Sequence, residues 1–173
     1  LVNSLRGIRI LVPRNMVQAA GMYNSLLKSF EPAIVIEPLN SYRLKEKEPI
    51  NYGDFCLKIG KVDFIRKGTD ITIVSYGSTL RIVDKACDIL KKYDISVDLI
   101  DIQSIIPFDI DNDIIQSLKL TNKLLIVDED LPGGASSYIL HKIPLSTYLL
   151  VITNEYAKIT VNKAYEPGIG NKV

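Results

Sequence analysis

The sequence predicts an α/β fold, a three-layer domain with a largely parallel sheet, preceded by the tail of another unit. Three observations carry this expectation. From Lys61 onward, short apolar runs alternate with segments of helical period. Most of these runs lack the in–out alternation of a half-solvated sheet, so both faces need cover, as in parallel strands under helices. The stretch "NSYRLKEKEPINYGDFCLKIG", residues 40–60, is charged, broken by proline and without period. It is longer than connections inside compact domains usually are, so it divides the chain.

Each element follows in order. "GIRILVP" (7–13) is a β-rich run closed by proline. Asn15 is a good N-cap, and the next stretch places Val17, Ala20, Tyr23, Leu27 and Phe30 on one helical stripe. "PAIVIEP" (32–38) reads as a buried strand. This strand–helix–strand unit has too few strands to bury a parallel sheet, so the chain is expected to be cut from a larger domain. After the divide, "KVDFIRKG" (61–68) predicts a half-buried strand and "DITIVSYG" (70–77) a fully buried one. Ser78 or Thr79 would cap a helix carrying Leu80, Ile82, Val83, Ala86, Ile89 and Leu90. "ISVDLIDI" (95–102) is strand. "PFDIDNDIIQSLKL" opens on Pro107 and acids, as a first helical turn should. "KLLIVDE" (123–129) is strand, residues 134–143 a short helix, and "TYLLVIT" (147–153) a last strand.

Composition sets further limits. The chain has 173 residues, 47% of them apolar, with a net charge of +1. No electrostatic footprint for nucleic acid or an anionic membrane is visible. The longest apolar run, "YLLVI" (148–152), falls far short of the roughly 18 residues of a membrane span. The start, "LVNSLRGIRI", lacks the charged head and apolar core of a signal peptide. Cys56 and Cys87 belong to no CxxC and read as reduced thiols of an intracellular protein. His141 is the only histidine, which excludes a site needing two imidazoles from this chain.

Four features invite a chemical reading. In "LLIVDEDLPGGASSYIL" (124–140), Gly133 and Gly134 stand between strand and helix. Either an anion sits on the helix N-terminus or this is a tight turn. There is no GxGxxG and no P-loop lysine, and Asp128, Glu129 and Asp130 would repel a phosphate; the turn is favoured. "VSYGST" (74–79) would hold an anion or cap a helix, and capping is the commoner use. Asp98, Asp101, Asp109, Asp111 and Asp113 lack the glycine and distal glutamate of a calcium loop, and are expected to supply helix N-terminal charge. His141 lies in an apolar helix pattern without a nucleophile motif and reads as structural. From the residues alone, the chain is an α/β domain with no complete active site.

The order of segments resembles the β subunit of thiamine-diphosphate-dependent 2-oxoacid dehydrogenases, the pyruvate and branched-chain enzymes. Gly7, Pro13, Glu31-Pro32 and Glu37 hold the places of that family's Pro-Gly-Leu-Lys-Val-Val-x-Pro, helix, Asp-x-Pro-Val-x-x-x-Glu pattern at the end of its pyrimidine-binding domain. "LKIGKVDFIRKGTDITIVSYGSTLRIVDKA" is similar to the entry into its transketolase C-terminal domain. "ISVDLIDIQSIIPFD" is similar to its Val-x-Val-Ile-Asp-Leu-Arg-x-x-x-Pro-x-Asp, and "LLIVDEDLPGGASSYIL" to its Val-Val-Asp-Glu, Gly-Gly and helix. The resemblance covers residues 7–143. Deoxyxylulose-phosphate synthase, which shares the C-terminal domain, ranks second because it would show Arg-Tyr-Pro-Arg-Gly where this chain has "IEPLNSYR". A stand-alone interaction domain is the alternative from another class.

The resemblance implies three parts: the tail of a pyrimidine-binding domain (1–39), a linker (40–57) and a transketolase C-terminal-like domain (58–173). It implies that the parent enzyme decarboxylates a 2-oxoacid on thiamine diphosphate and magnesium and passes the acyl group to lipoyl. No catalytic or cofactor-binding residue of that family falls in this chain, so the isolated chain is expected to be inactive. Implied partners are an α subunit or α portion, a second β chain and the dihydrolipoyl acyltransferase, whose docking would use Asp128, Glu129 and Asp130. A homo-oligomer is expected, with no nucleic acid and no membrane. Backbone carbonyls of Leu26, Leu27, Ser29 and Glu31 match positions that hold potassium in some relatives. The implied compartment is the bacterial cytoplasm or the mitochondrial matrix.

Overall fold

A computed structural model describes residues 6–46, 48, 50, 53–130, 134–143 and 148–152. The chain folds through β1 (Arg9–Leu11), α1 (Met16–Leu27), β2 (Ala33–Val35), β3 (Asp63–Arg66), β4 (Ile71–Ser75), α2 (Thr79–Leu90), β5 (Val97–Asp101), β6 (Ser104–Ile106), α3 (Asp113–Thr121), β7 (Lys123–Val127), α4 (Ala135–Lys142) and β8 (Tyr148–Ile152). The larger sheet has the order β3-β5-β4-β7-β8. Its β5–β4, β4–β7 and β7–β8 pairs are parallel, and only the edge strand β3 runs antiparallel, against β5. The smaller sheet has the order β2-β1-β6.

Three layers follow from where the apolar side chains go. On one face Ile73, Leu80, Val83, Cys87, Val97 and Leu99 pack α2 against the larger sheet. On the other, Val74, Ile100, Ile114, Leu118, Ile126 and Ile139 pack α3 and α4 against it. β5 is buried along its whole length, as an interior strand covered by helices on both faces must be. Ile10, Val12 and Ile105 from the smaller sheet join the second cluster, so the two sheets share one core.

Several sequence expectations need correction. The first strand–helix–strand unit does find a further strand within this chain: β6 pairs antiparallel with β1. The β-branched run before Pro107 was its only signal. Residues 32–38 do not form a buried strand; β2 is a half-buried edge strand with β1 as its neighbour. The predicted stripe of α1 faces outward, with Val17 38%, Tyr23 41%, Leu27 83% and Phe30 106% exposed. Gln18, Ala19, Gly21 and Met22 are buried instead. The reason is the packing of residues 55–57 against this helix. The Leu57 N–H donates to the Gly21 carbonyl at 3.0 Å, and the Asn24 amide donates to the Phe55 carbonyl at 2.7 Å. Ile82 and Ile89 of α2 are likewise exposed while Leu80, Val83 and Cys87 face the sheet. The helix expected from Pro107 begins at Asp113.

Candidate functional site

The carboxyl ends of β4 and β7 gather the hydroxyls and acids that the sequence singled out. Asp128, directly after β7, is 3% exposed. It accepts hydrogen bonds from the Tyr76 hydroxyl, the Asp130 N–H at 3.0 Å and the Ser136 N–H at 2.8 Å. The Ser136 contact is a cap on α4, so this side chain fills the place an anion would take. Burial, followed by the hydrogen bond to Asp128, raises the Tyr76 phenol well above its usual range. Glu129 accepts from the Ser78 hydroxyl at 3.0 Å and the Thr79 hydroxyl at 3.3 Å. Ser78 therefore makes no side-chain cap on α2. Asp130 is exposed and lies against Gly134, where a Cβ would collide with its carboxylate. Gly133 lies outside the described residues.

The turn before α2 also ties the two sheets together. Gly77 has a left-handed φ of +58°, and a Cβ there would stand 2.9 Å from Val12 Cγ1. Glycine satisfies both demands, since it tolerates positive φ and leaves the space empty.

The other helix starts are filled in the same manner. Asp109 accepts from the N–H groups of Asp113 and Ile114, both at 2.9 Å, and so caps α3 from outside it. Asn15 caps α1 by accepting from the Gln18 N–H at 2.9 Å, while Glu46 accepts from the Met16 N–H at 2.6 Å. Thus α1, α3 and α4 each have at least one first-turn amide held by a side-chain oxygen, and a carboxylate stands at the start of α2. A phosphate at any of the four would meet a carboxylate or have to displace an oxygen already bound. Among the described residues, no group of three or more His, Cys, Asp and Glu would hold a metal. The four helix starts do not fit a diphosphate.

Arg14 lies where the two sheets meet, a role that no local pattern announces. Its guanidinium donates to Asp101 and to Asp63, both at 2.7 Å. Asp101 is 0% exposed and also accepts from the Gln103 N–H at 2.9 Å. Gln18 of α1 donates to the Gln103 side chain at 3.0 Å. Burial pushes the Asp101 carboxyl up to about 6, against the opposing pull of Arg14 and the Gln103 N–H. An acid inside an otherwise apolar strand was the one available hint that a cation must come to it.

The remaining predicted residues fall as follows. Asp98 and Asp101 are buried strand residues rather than helix-start charges. Asp111 pairs with Lys61 at 2.5 Å. His141 is exposed in the last turn of α4. At the end of α1, the Leu26 carbonyl accepts from the Ser29 N–H at 2.9 Å, and the Ser29 hydroxyl accepts from the Glu31 N–H at 3.2 Å. Glu31 pairs with Arg9. Both cysteines are free, Cys56 exposed and Cys87 buried.

Comparison with known proteins places this architecture. The family described as transketolase, C-terminal domain, matches residues 60–170. The pyruvate dehydrogenase E1 component subunit beta of Acholeplasma laidlawii is 32% identical over 129 residues, covering 75% of this chain and 39% of that protein. The 2-oxoisovalerate dehydrogenase subunit beta of Bacillus subtilis is also 32% identical over 129 residues, with the same coverage. A mitochondrial counterpart from Dictyostelium discoideum is 30% identical over 124 residues, covering 71% of this chain and 33% of that protein. The chain thus spans about two fifths of the length of the first two relatives. Among solved structures, a split-gene transketolase described as an inactive beta4 tetramer superimposes with a TM-score of 0.69 at 17% identity, over 90% of this chain and 52% of that one. A transketolase from Pichia stipitis gives 0.63 at 16% identity, over 92% of this chain and 22% of that one. At such identities the two structures speak to the fold, and they agree with the sequence match. With more than half of its residues matched and a helix-covered, largely parallel sheet beneath them, the chain belongs to the transketolase C-terminal-domain family.

Proposed function

We propose that this chain is the C-terminal part of the β subunit of a thiamine-diphosphate-dependent 2-oxoacid dehydrogenase, acting in the whole enzyme on pyruvate or a branched-chain 2-oxoacid. Its own contribution is association and docking. One observation carries the reading: the helix N-termini that would receive a diphosphate are met by Glu46, Asp109, Asp128 and Glu129 of the same chain. The thiamine diphosphate and magnesium that supply decarboxylation belong to other parts of the whole enzyme. Large apolar side chains are exposed on the first unit, among them Tyr23, Leu27, Phe30, Ile36, Leu39 and Tyr42, with Tyr23 and Tyr42 both donating to Glu37; they support a role in contacts with an α subunit and a second β chain.

Docking of a dihydrolipoyl acyltransferase is assigned to Glu129 and Asp130. Asp128 is buried and supports that corner from inside. The carbonyls of Leu26, Leu27, Ser29 and Glu31 at the end of α1 are proposed to hold potassium, on the ground that a helix C-terminus carries negative partial charge and hard cations take oxygen ligands. The compartment is that of the relatives, bacterial cytoplasm or mitochondrial matrix. Calorimetric titration of the chain with thiamine diphosphate and magnesium tests the central reading. No saturable heat is expected, and binding tighter than millimolar would overturn it.

A further inference from the structure

The amino end of the larger sheet holds a buried polar cluster that association does not use. Thr72 of β4 and Asp98 of β5 are register partners. Ser117 and Thr121, one turn apart on α3, contact them from above. Exposure is 0% for Thr72, 2% for Asp98, 4% for Ser117 and 5% for Thr121. The Ser117 hydroxyl donates to Asp98 Oδ2 at 2.5 Å. Thr72 Oγ1 lies 2.6 Å from Ser117 Oγ and 2.7 Å from Thr121 Oγ1.

Each hydroxyl has a single proton. Ser117 gives its proton to Asp98, so Thr72 donates to Ser117. Thr121 is left to donate to Thr72, or to the Lys123 carbonyl at 3.3 Å. Every proton is spent before Asp98 Oδ1 is reached. That oxygen is sealed from solvent and has no hydrogen-bond partner among the described residues. No lysine or arginine forms an ion pair with Asp98 among them. α3 ends at Thr121, and its last carbonyls add further negative partial charge.

We propose that Asp98 Oδ1 is a ligand of a buried monovalent alkali cation, completed by oxygens of this hydroxyl cluster. An all-oxygen donor set suits a hard cation, and hydroxyls that have given up their protons still offer lone pairs. One carboxylate balances one positive charge, whereas divalent sites recruit more carboxylates.

The test follows unfolding of the full chain at constant ionic strength, with choline chloride replaced stepwise by sodium or potassium chloride. The unfolding equilibrium constant should fall steadily as the cation rises past its dissociation constant, by about tenfold at roughly ten times that constant. Asp98→Asn should abolish the response. Should that variant not fold, Thr121→Val keeps the carboxylate and removes one oxygen, and the cation dissociation constant fitted to its unfolding should rise. The sodium NMR line of the unmodified chain should broaden and sharpen again with potassium. Equal behaviour in choline, sodium and potassium would mean that a water molecule fills the place, and the proposal fails. A response that survives Asp98→Asn would put the ion elsewhere, such as the end of α1, and fails it equally.

Discussion

Replacing Asp128 by alanine should be among the most damaging single changes outside the apolar core. The carboxylate serves three donors at once: the Tyr76 hydroxyl, the Asp130 N–H and the Ser136 N–H. Tyr76 is 7% and Ser136 2% exposed, so water does not readily take over. Hydrogen bonds to a charged group contribute about 1.5–3 kcal/mol each, and loss of a helix cap alone costs about 0.5–2 kcal/mol. These overlap, so the expected loss is about 3–5 kcal/mol, a large share of the roughly 5–15 kcal/mol that holds a domain folded. Asp128→Asn retains one acceptor oxygen and should lose about half as much, by the same hydrogen-bond magnitudes. Glu129→Gln and Asp130→Asn, at more open positions, should stay within about 1 kcal/mol. Urea unfolding of the four variants with a common slope measures all of this. A loss below about 1 kcal/mol for Asp128→Ala would refute the assignment of a buried cap. So would Glu129→Gln or Asp130→Asn proving as costly.

The junction at Arg14 yields a pH prediction. The Asp101 carboxyl is raised from 3.8 to about 6 by burial. The stability linked to it is therefore fully present below pH 3.8 and is lost as pH rises through about 6, a change of about 3 kcal/mol. Urea midpoints across this window should show the trend as a difference between the chain and Asp101→Asn; parallel curves would contradict it. Gly77→Ala meets both a positive φ and the Val12 side chain and should cost about 1–3 kcal/mol, by backbone strain and overpacking together. A double-mutant cycle with Val12→Ala should show coupling above roughly 0.5 kcal/mol, and strict additivity would deny the contact. Leu27→Ser with Phe30→Ser, exposed at and just beyond the end of α1, should shift the chain from dimer or larger toward monomer in light scattering with little change in stability; an unchanged mass would remove these side chains from the interface. Limited proteolysis should cut first within residues 40–52, and first cuts within residues 70–140 would show the division of the chain to be misplaced.

The sequence by itself determined the kinds and order of the longer elements. β3, β4, β5, β7 and β8 were legible because local period and β-branched composition act over a few residues, whatever lies around them. The family was legible because several weak motifs occur in the right order. That a helix begins after Gly134 was also legible, from the period of the residues that follow it. Tertiary structure decided what those local rules leave open. α1 has apolar side chains on more than one side, and only the docking of Phe55 and Leu57 against Gly21 selects the face with Ala19 and Met22. β6 is three residues long and becomes a strand only because β1 offers it an edge. Asp128, Glu129 and Asp130 are adjacent acids in the sequence, yet Asp128 alone turns inward, because Tyr76 and the first turn of α4 bring it donors. Asp101 and Arg14 are 87 residues apart, a distance across which no local pattern carries information. Burial makes each the other's necessary partner, and burial exists only once the two sheets have met.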